Sequence, residues 1–121
     1  SIDIINFENI TNLNINDLVQ KFGSNTSWAV RTTYNDLFGG VLIHQLPGEG
    51  NRLHMHPDAN ECWFIHSGQW KWFIEGEGEK IVIPGSIVNV KKKTYHKITC
   101  VGKMPGIRFA ITKPDVMHVY K

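Results

Sequence analysis

A chain of 121 residues, 41% of them hydrophobic, is long enough for one ordinary globular core. No apolar run reaches the roughly 18 residues of a membrane span, and a net charge of +2 gives no argument for nucleic acid. Two cysteines make no disulfide framework, so a cytoplasmic protein is expected rather than a secreted one.

The charge is unevenly spread. Residues 1–50 hold two basic and five acidic side chains, and residues 51–121 hold eleven and six. In chain order, the arm "SIDIINFENITNLN" lacks the basic-then-apolar pattern of a secretory signal. Its "NIT" at Asn9, and "NTS" at Asn25, fit a glycosylation pattern too short to carry weight. "NINDLVQKFG" (14–23) is the one helical segment: Asn14 or Asn16 can cap it, Ile15, Leu18, Val19 and Phe22 form an apolar side, and Gly23 stops it. Arm and helix together take residues 1–26.

Eight strand-like runs follow and assign residues 27–113 to a barrel. They are "SWAVRTTY" (27–34), "GVLIHQL" (40–46), "CWFIHSG" (62–68), "WKWFIEG" (70–76), "EKIVI" (79–83), "SIVNV" (86–90), "HKITCV" (96–101) and "GIRFAIT" (106–112). Each is rich in β-branched and aromatic residues and bounded by Gly, Pro, Asn or Asp. Short strands at even spacing predict an all-β sandwich or barrel in a single domain, residues 1–121.

Alternation assigns the faces. Trp70, Trp72 and Ile74 share one side, and Trp63 and Ile65 lie on the side of Glu61, opposite Cys62, Phe64 and His66. Large apolar groups on both faces call for barrel interior on one side and a second layer or a partner subunit on the other.

The chemistry concentrates in "LHMHPDANECWFIHSG" (53–68). His54 and His56, two apart, project from one face of an extended strand. "PDAN" suits a turn that brings Glu61 back beside them. Two imidazoles and a carboxylate can coordinate a divalent ion, with His96, at the start of a later strand, as a fourth ligand. His44, His66 and His118 read as ordinary hydrogen-bonded or solvated histidines.

The spacing Gly48-x5-His54-x-His56-x4-Glu61-x6-Gly68 resembles, without a gap, the first signature of the cupin family. The second family signature, G-x5-P-x-G-x2-H-x3-N, is similar to the stretch from Gly85 through Lys91, Lys93 and His96 to Cys100, where only Gly85 and His96 match. Lysines stand where the tight turn has proline and glycine. "ECWFIHSG" and "HKITCVGKMPGIRFAI" also resemble segments of cupins related to type II mannose-6-phosphate isomerase. The resemblance spans about residues 40–111.

It implies a double-stranded β-helix (jelly-roll) barrel with a short N-terminal helix. One divalent metal ion (Fe, Mn, Zn or Ni) would be held by His54, His56, Glu61 and His96. It further implies a metal-dependent enzyme on a small anionic metabolite such as a sugar derivative, of isomerase, epimerase or lyase type. The alternatives are a metal-dependent dioxygenase and a non-catalytic ligand-binding cupin. Glu61 is the candidate catalytic base, should it leave the ion or take a proton. Arg52, Trp63, Cys100 and Arg108 are candidate pocket residues, provided Arg108 faces inward; Cys100 reads first as a small buried hydrophobe. The tryptophans read as core or as cavity wall, and Asn60 and Gln45 as residues that orient ligands. Lys91, Lys92 and Lys93 form either a solvated loop or a basic rim that attracts anions. Neither nucleic acid nor membrane is expected as a partner. A homodimer is, formed through outer sheet faces and the apolar arm.

Overall fold

The structure, a computed structural model, describes residues 2–121. Eleven strands and one helix follow in the order β1 (Ile4–Asn6), α1 (Ile15–Phe22), β2 (Trp28–Tyr34), β3 (Gly39–Gln45), β4 (His54–Met55), β5 (Glu61–Ser67), β6 (Gln69–Ile74), β7 (Gly78–Val82), β8 (Ile87–Val90), β9 (His96–Val101), β10 (Gly106–Thr112) and β11 (Val119–Tyr120). They form a six-stranded sheet, β1-β2-β3-β10-β5-β8, and a five-stranded sheet, β11-β4-β9-β6-β7. Every pairing is antiparallel except β1 with β2. Among the described residues, no helix is long and apolar enough to cross a membrane.

Period-two alternation decides what lies between the sheets. Trp63, Ile65, Val90 and Ala110 from one sheet pack on Trp70, Trp72, Ile74, Val82, Ile98 and Cys100 from the other. Cys62 is exposed and Cys100 buried, on opposite sides of the fold, and they do not pair.

The outer face of the six-stranded sheet carries a cross-strand row, Val30–Leu42–Phe109–Phe64–Ile87. Helix α1 covers the first part of it. Asn14 caps the helix by accepting from the Asn16 amide at 2.8 Å, and the Gly23 amide closes it on the Val19 carbonyl. Leu18, Trp28, Val30, Leu42 and Ile107 are buried there, with Phe7, Phe22 and Phe109 against them. The N-terminal segment is thus the second layer, and it covers Phe64 only in part, leaving it 43% exposed.

Three strands escape the pattern read from sequence. β1 adds in parallel to β2 and so belongs to the sheet, while the tail 114–121 returns as β11 beside β4. β4 is only two residues long. Each is too short to show a period of its own; pairing with a neighbour makes it a strand.

Candidate metal centre

His54 and His96 face each other directly across the β4–β9 ladder, and their rings lie 4.3 Å apart between centroids. His56 follows two residues on, and the chain turns through Pro57–Asn60 so that Glu61 opens β5 next to both. All four side chains are buried, and their donor atoms lie within 4.8 Å of one another. Four residues from three segments converge here.

The hydrogen bonds set the tautomers. Nδ1 of His54, His56 and His96 lies 2.6, 2.7 and 2.9 Å from the main-chain carbonyls of Arg52, Met117 and Thr94 respectively. A carbonyl can only accept, so each Nδ1 carries the proton and each Nε2 presents a lone pair. Two of these lone pairs face the Glu61 carboxylate, His96 Nε2 at 3.0 Å from Oε1 and His56 Nε2 at 3.2 Å from Oε2. Both Nε2 atoms are buried with no hydrogen-bond partner.

Lone pairs pointed at a carboxylate at such distances repel unless a cation stands among them. Neighbouring donors around an ion at about 2.1 Å stand roughly 3 Å apart, so the spacing suits a metal. A proton is the alternative cation. Burial disfavours a charged His56, but Glu61 outweighs this and raises the imidazole's pKa above its ordinary 6.5. Burial likewise disfavours a charged Glu61, and the His56 and His96 contacts outweigh it, holding the carboxyl well below the usual range. His54 is pushed down to about 4, by burial first and then by the neighbouring imidazoles. Nitrogen and carboxylate donors, proton-free Nε2 atoms and stiff strands fit a divalent transition ion. The four residues could hold one.

A cavity of about 520 Å³ opens over this centre, and His54 and Glu61 lie on its wall. Of the candidate pocket residues, Arg52, Trp63 and Arg108 line it and Cys100 does not. Cys100 faces inward but lies in the core, paired with Trp70 across the β6–β9 ladder, and burial raises its thiol's pKa. Lys91, Lys92 and Lys93 are all exposed and none reaches the cavity. Its cationic lining is instead Arg31, Arg52, Arg108 and Lys113. Gln45 bonds Arg108 rather than a metal ligand, and Asn60 accepts from the Lys92 amide.

His118 and Tyr120 went unrecognised in the sequence. The tail lays the His118 ring against His54 and His56, with centroids 5.1 and 4.6 Å away, and Arg52 sits 4.4 Å over Tyr120. Tyr34 donates to Asp115 at 2.5 Å, and Lys113 pairs with Asp58, which pins the tail across the mouth. The only signal available was the i, i+2 spacing of His118 and Tyr120 in "HVY".

Residues 41–112 match the cupin domain, and the chain belongs to that family. Among curated proteins none matches the sequence. The fold is similar to that of an uncharacterized conserved protein with a double-stranded β-helix domain from Klebsiella pneumoniae, with a TM-score of 0.76 at 17% identity over 91% of each chain. It is also similar to KdgF from Halomonas sp., with a TM-score of 0.67 at 15% identity over 73% of this chain and 78% of that one. A sugar phosphate isomerase of the cupin superfamily from Silicibacter pomeroyi gives 0.63 at 19% identity, covering 70% of this chain and 57% of that one. At these identities the likeness is one of fold.

Proposed function

We propose that this cupin is a metal-dependent enzyme acting on a small anionic metabolite. A sugar derivative is the leading substrate class, and isomerase, epimerase or lyase chemistry the leading reaction type. One observation carries the reading: three buried imidazoles turn proton-free Nε2 atoms, together with a carboxylate, toward one point beside an open cavity lined by cations. A divalent ion bound there supplies Lewis-acid polarisation of a substrate carbonyl or hydroxyl oxygen. The chain does the rest. His54, His56, His96 and Glu61 would hold the ion, Arg52 would draw anions into the mouth, and the tail screens the centre from bulk water. Glu61 serves as a ligand, because so weakly basic a carboxylate makes a poor proton acceptor.

The test is deuterium exchange. The metal-loaded protein, incubated with sugar phosphates and uronates in D2O, should exchange the proton next to the carbonyl carbon, and His96→Ala should not. A protein that takes up no metal, or exchanges and converts none of these substrates, would sink the proposal. The same donor set suits iron, so a dioxygenase is the second reading. Oxygen uptake by the iron-loaded protein would favour it. A ligand bound tightly but never converted would point to a non-catalytic cupin.

We also propose a homodimer. Phe64 is 43% exposed and Ile87 66%, side by side on the outer face at the edge of the layer formed by the arm and α1. An apolar row continuing past its cover supports a second copy as the missing layer.

A further inference from the structure

We infer that Arg108 binds the carboxylate of the substrate, so that the cavity takes short hydroxy- or oxo-acids with the acid group inward. This rests on the cavity being the substrate site, as proposed above, and goes beyond it by naming the group and the residue that grips it.

The surroundings of Arg108 leave it one free edge. On β10 it belongs to the inward row, between Ile43 and Ile65 on the flanking strands, and it is 2% exposed. Its Nε and Nη2 both donate to Gln45 Oε1, at 3.2 and 2.8 Å. The indoles of Trp63 and Trp70 lie against the guanidinium, 4.6 and 5.1 Å from its carbon to the ring centroids. Nη1 alone is unused, and it is buried without a partner. Arg108 lines the cavity.

Leaving a charged donor buried and unpaired is strongly unfavourable, so the arrangement makes sense where an incoming group satisfies it. Burial lowers the Arg108 pKa to about 9, which keeps it protonated at neutral pH. Glu61 is the carboxylate near enough to act on it, and that group is engaged with His56 and His96. The positive charge therefore lacks a free counter-ion inside the fold. Two stacked indoles and Gln45 lock the guanidinium in place, so a ligand meets a donor already oriented.

The available edge favours carboxylate over phosphate. Ala29, Val41, Ile43 and Ala110 make the nearby lining apolar. A carboxylate on Nη1 leaves one oxygen to satisfy, whereas a phosphate ester would bring a further oxygen and a second charge into the same apolar corner. Trp63 also ties this corner to the metal centre, because its Nε1 donates to Glu61 Oε1 at 3.4 Å. One indole separates the two sites, which suits an acid carrying a second oxygen a few bonds from its carboxylate.

The experiment uses the metal-free protein, so that coordination cannot supply the affinity. Acetate, glycolate, glycerol 1-phosphate and ethylene glycol are titrated while tryptophan fluorescence and Tm are followed. Acetate and glycolate should quench the fluorescence and raise Tm, and ethylene glycol should do neither. Arg108→Met and Arg108→Lys should weaken glycolate by about tenfold or more. Should Arg108→Met fail to fold, the lysine variant and the wild-type series still decide. Acids that bind no better than ethylene glycol, or equally well to folded Arg108→Lys, overturn the inference. So does a phosphate ester that binds more tightly than glycolate. Acid binding by a chain that never takes up metal would support Arg108 and sink the metal-enzyme reading; metal uptake with indifference to acids would do the reverse.

Discussion

His56 donates its Nδ1 proton to the main-chain carbonyl of Met117, 2.7 Å away and 61 residues along the chain. The tail that supplies this acceptor also pairs with β4, Val119 opposite Met55 and Tyr120 opposite His54. It therefore orients one candidate metal ligand by hydrogen bonding and steadies the strand carrying another. A chain ended after Asp115 should keep its barrel, since the main core lies elsewhere. Its metal affinity should fall by about 10- to 100-fold, the range for losing such an outer partner of a ligand histidine. Competition against a chromophoric chelator measures this, with circular dichroism as the check on folding. Unchanged affinity would mean that the tail orients nothing.

Metal affinity should also fall on acidification, beginning near neutral pH. His56 has a raised pKa in the metal-free protein, so a fraction of it is protonated even above 6.5. An ion must displace that proton, and each unit of acidification below the raised value costs about a factor of ten in affinity. Glu61 adds nothing to this dependence between pH 5 and 8, because its depressed pKa keeps it ionised throughout. His54 enters only as the pH approaches about 4. Titration calorimetry in buffers of different ionisation enthalpy should show protons released on metal binding at mildly acidic pH, falling toward none at high pH. Glu61→Gln removes the cause of the His56 shift, so proton release should move to lower pH even as affinity drops.

Two substitutions at family-signature positions should act with opposite signs. Gly68 has φ 77°, and a Cβ there would stand 2.5 Å from the Gly106 Cα, so Gly68→Ala is expected to cost about 2–4 kcal/mol. Lys93 stands where the second signature has glycine, and it adopts φ 64° while its amide donates to the His56 carbonyl at 2.7 Å. Lys93 thus adopts the left-handed backbone that glycine takes without strain. Left-handed backbone costs a lysine about 1–2 kcal/mol, and the extra freedom of an unfolded glycine returns about half of that. Lys93→Gly should therefore stabilise by about 0.5–1 kcal/mol and raise Tm by about 2–4 °C. Thermal unfolding of the two variants reads both signs.

The cluster of His54, His56, Glu61 and His96 was legible because its signals are local. A period of two puts His54 and His56 on one face, a four-residue turn returns Glu61, and a strand beginning at His96 lies opposite. The direction of Arg108 was not legible, because both faces of β10 are apolar and alternation there gives no polarity to follow. Cys100 was placed on the correct face, but the sequence does not show how deep along the barrel a position lies. The lysine run near His96 invited a role at the mouth, and the left-handed turn at Lys93 leaves its side chains in solvent. His118 and Tyr120 depend on where a tail docks, which is decided by a two-residue strand with no pattern to read.

The outer face supplies the last prediction. Phe64 pairs with Phe109 on one side and Ile87 on the other, and the N-terminal layer packs on Phe109 but leaves Phe64 43% and Ile87 66% exposed. Ile111 and Cys62, opposite each other in the neighbouring row, are also exposed, so the patch is contiguous across β10, β5 and β8. Water on such a patch is unfavourable by about 25 cal/mol per Å² of apolar surface, which a second copy placed face to face would recover. Sedimentation equilibrium should show a dimer at micromolar concentration. Phe64→Glu should give a monomer with unaltered metal content, because Phe64 lies on the outer face of its sheet and does not line the cavity over the four-residue cluster. A wild-type monomer under those conditions would leave the patch open and the homodimer proposal wrong.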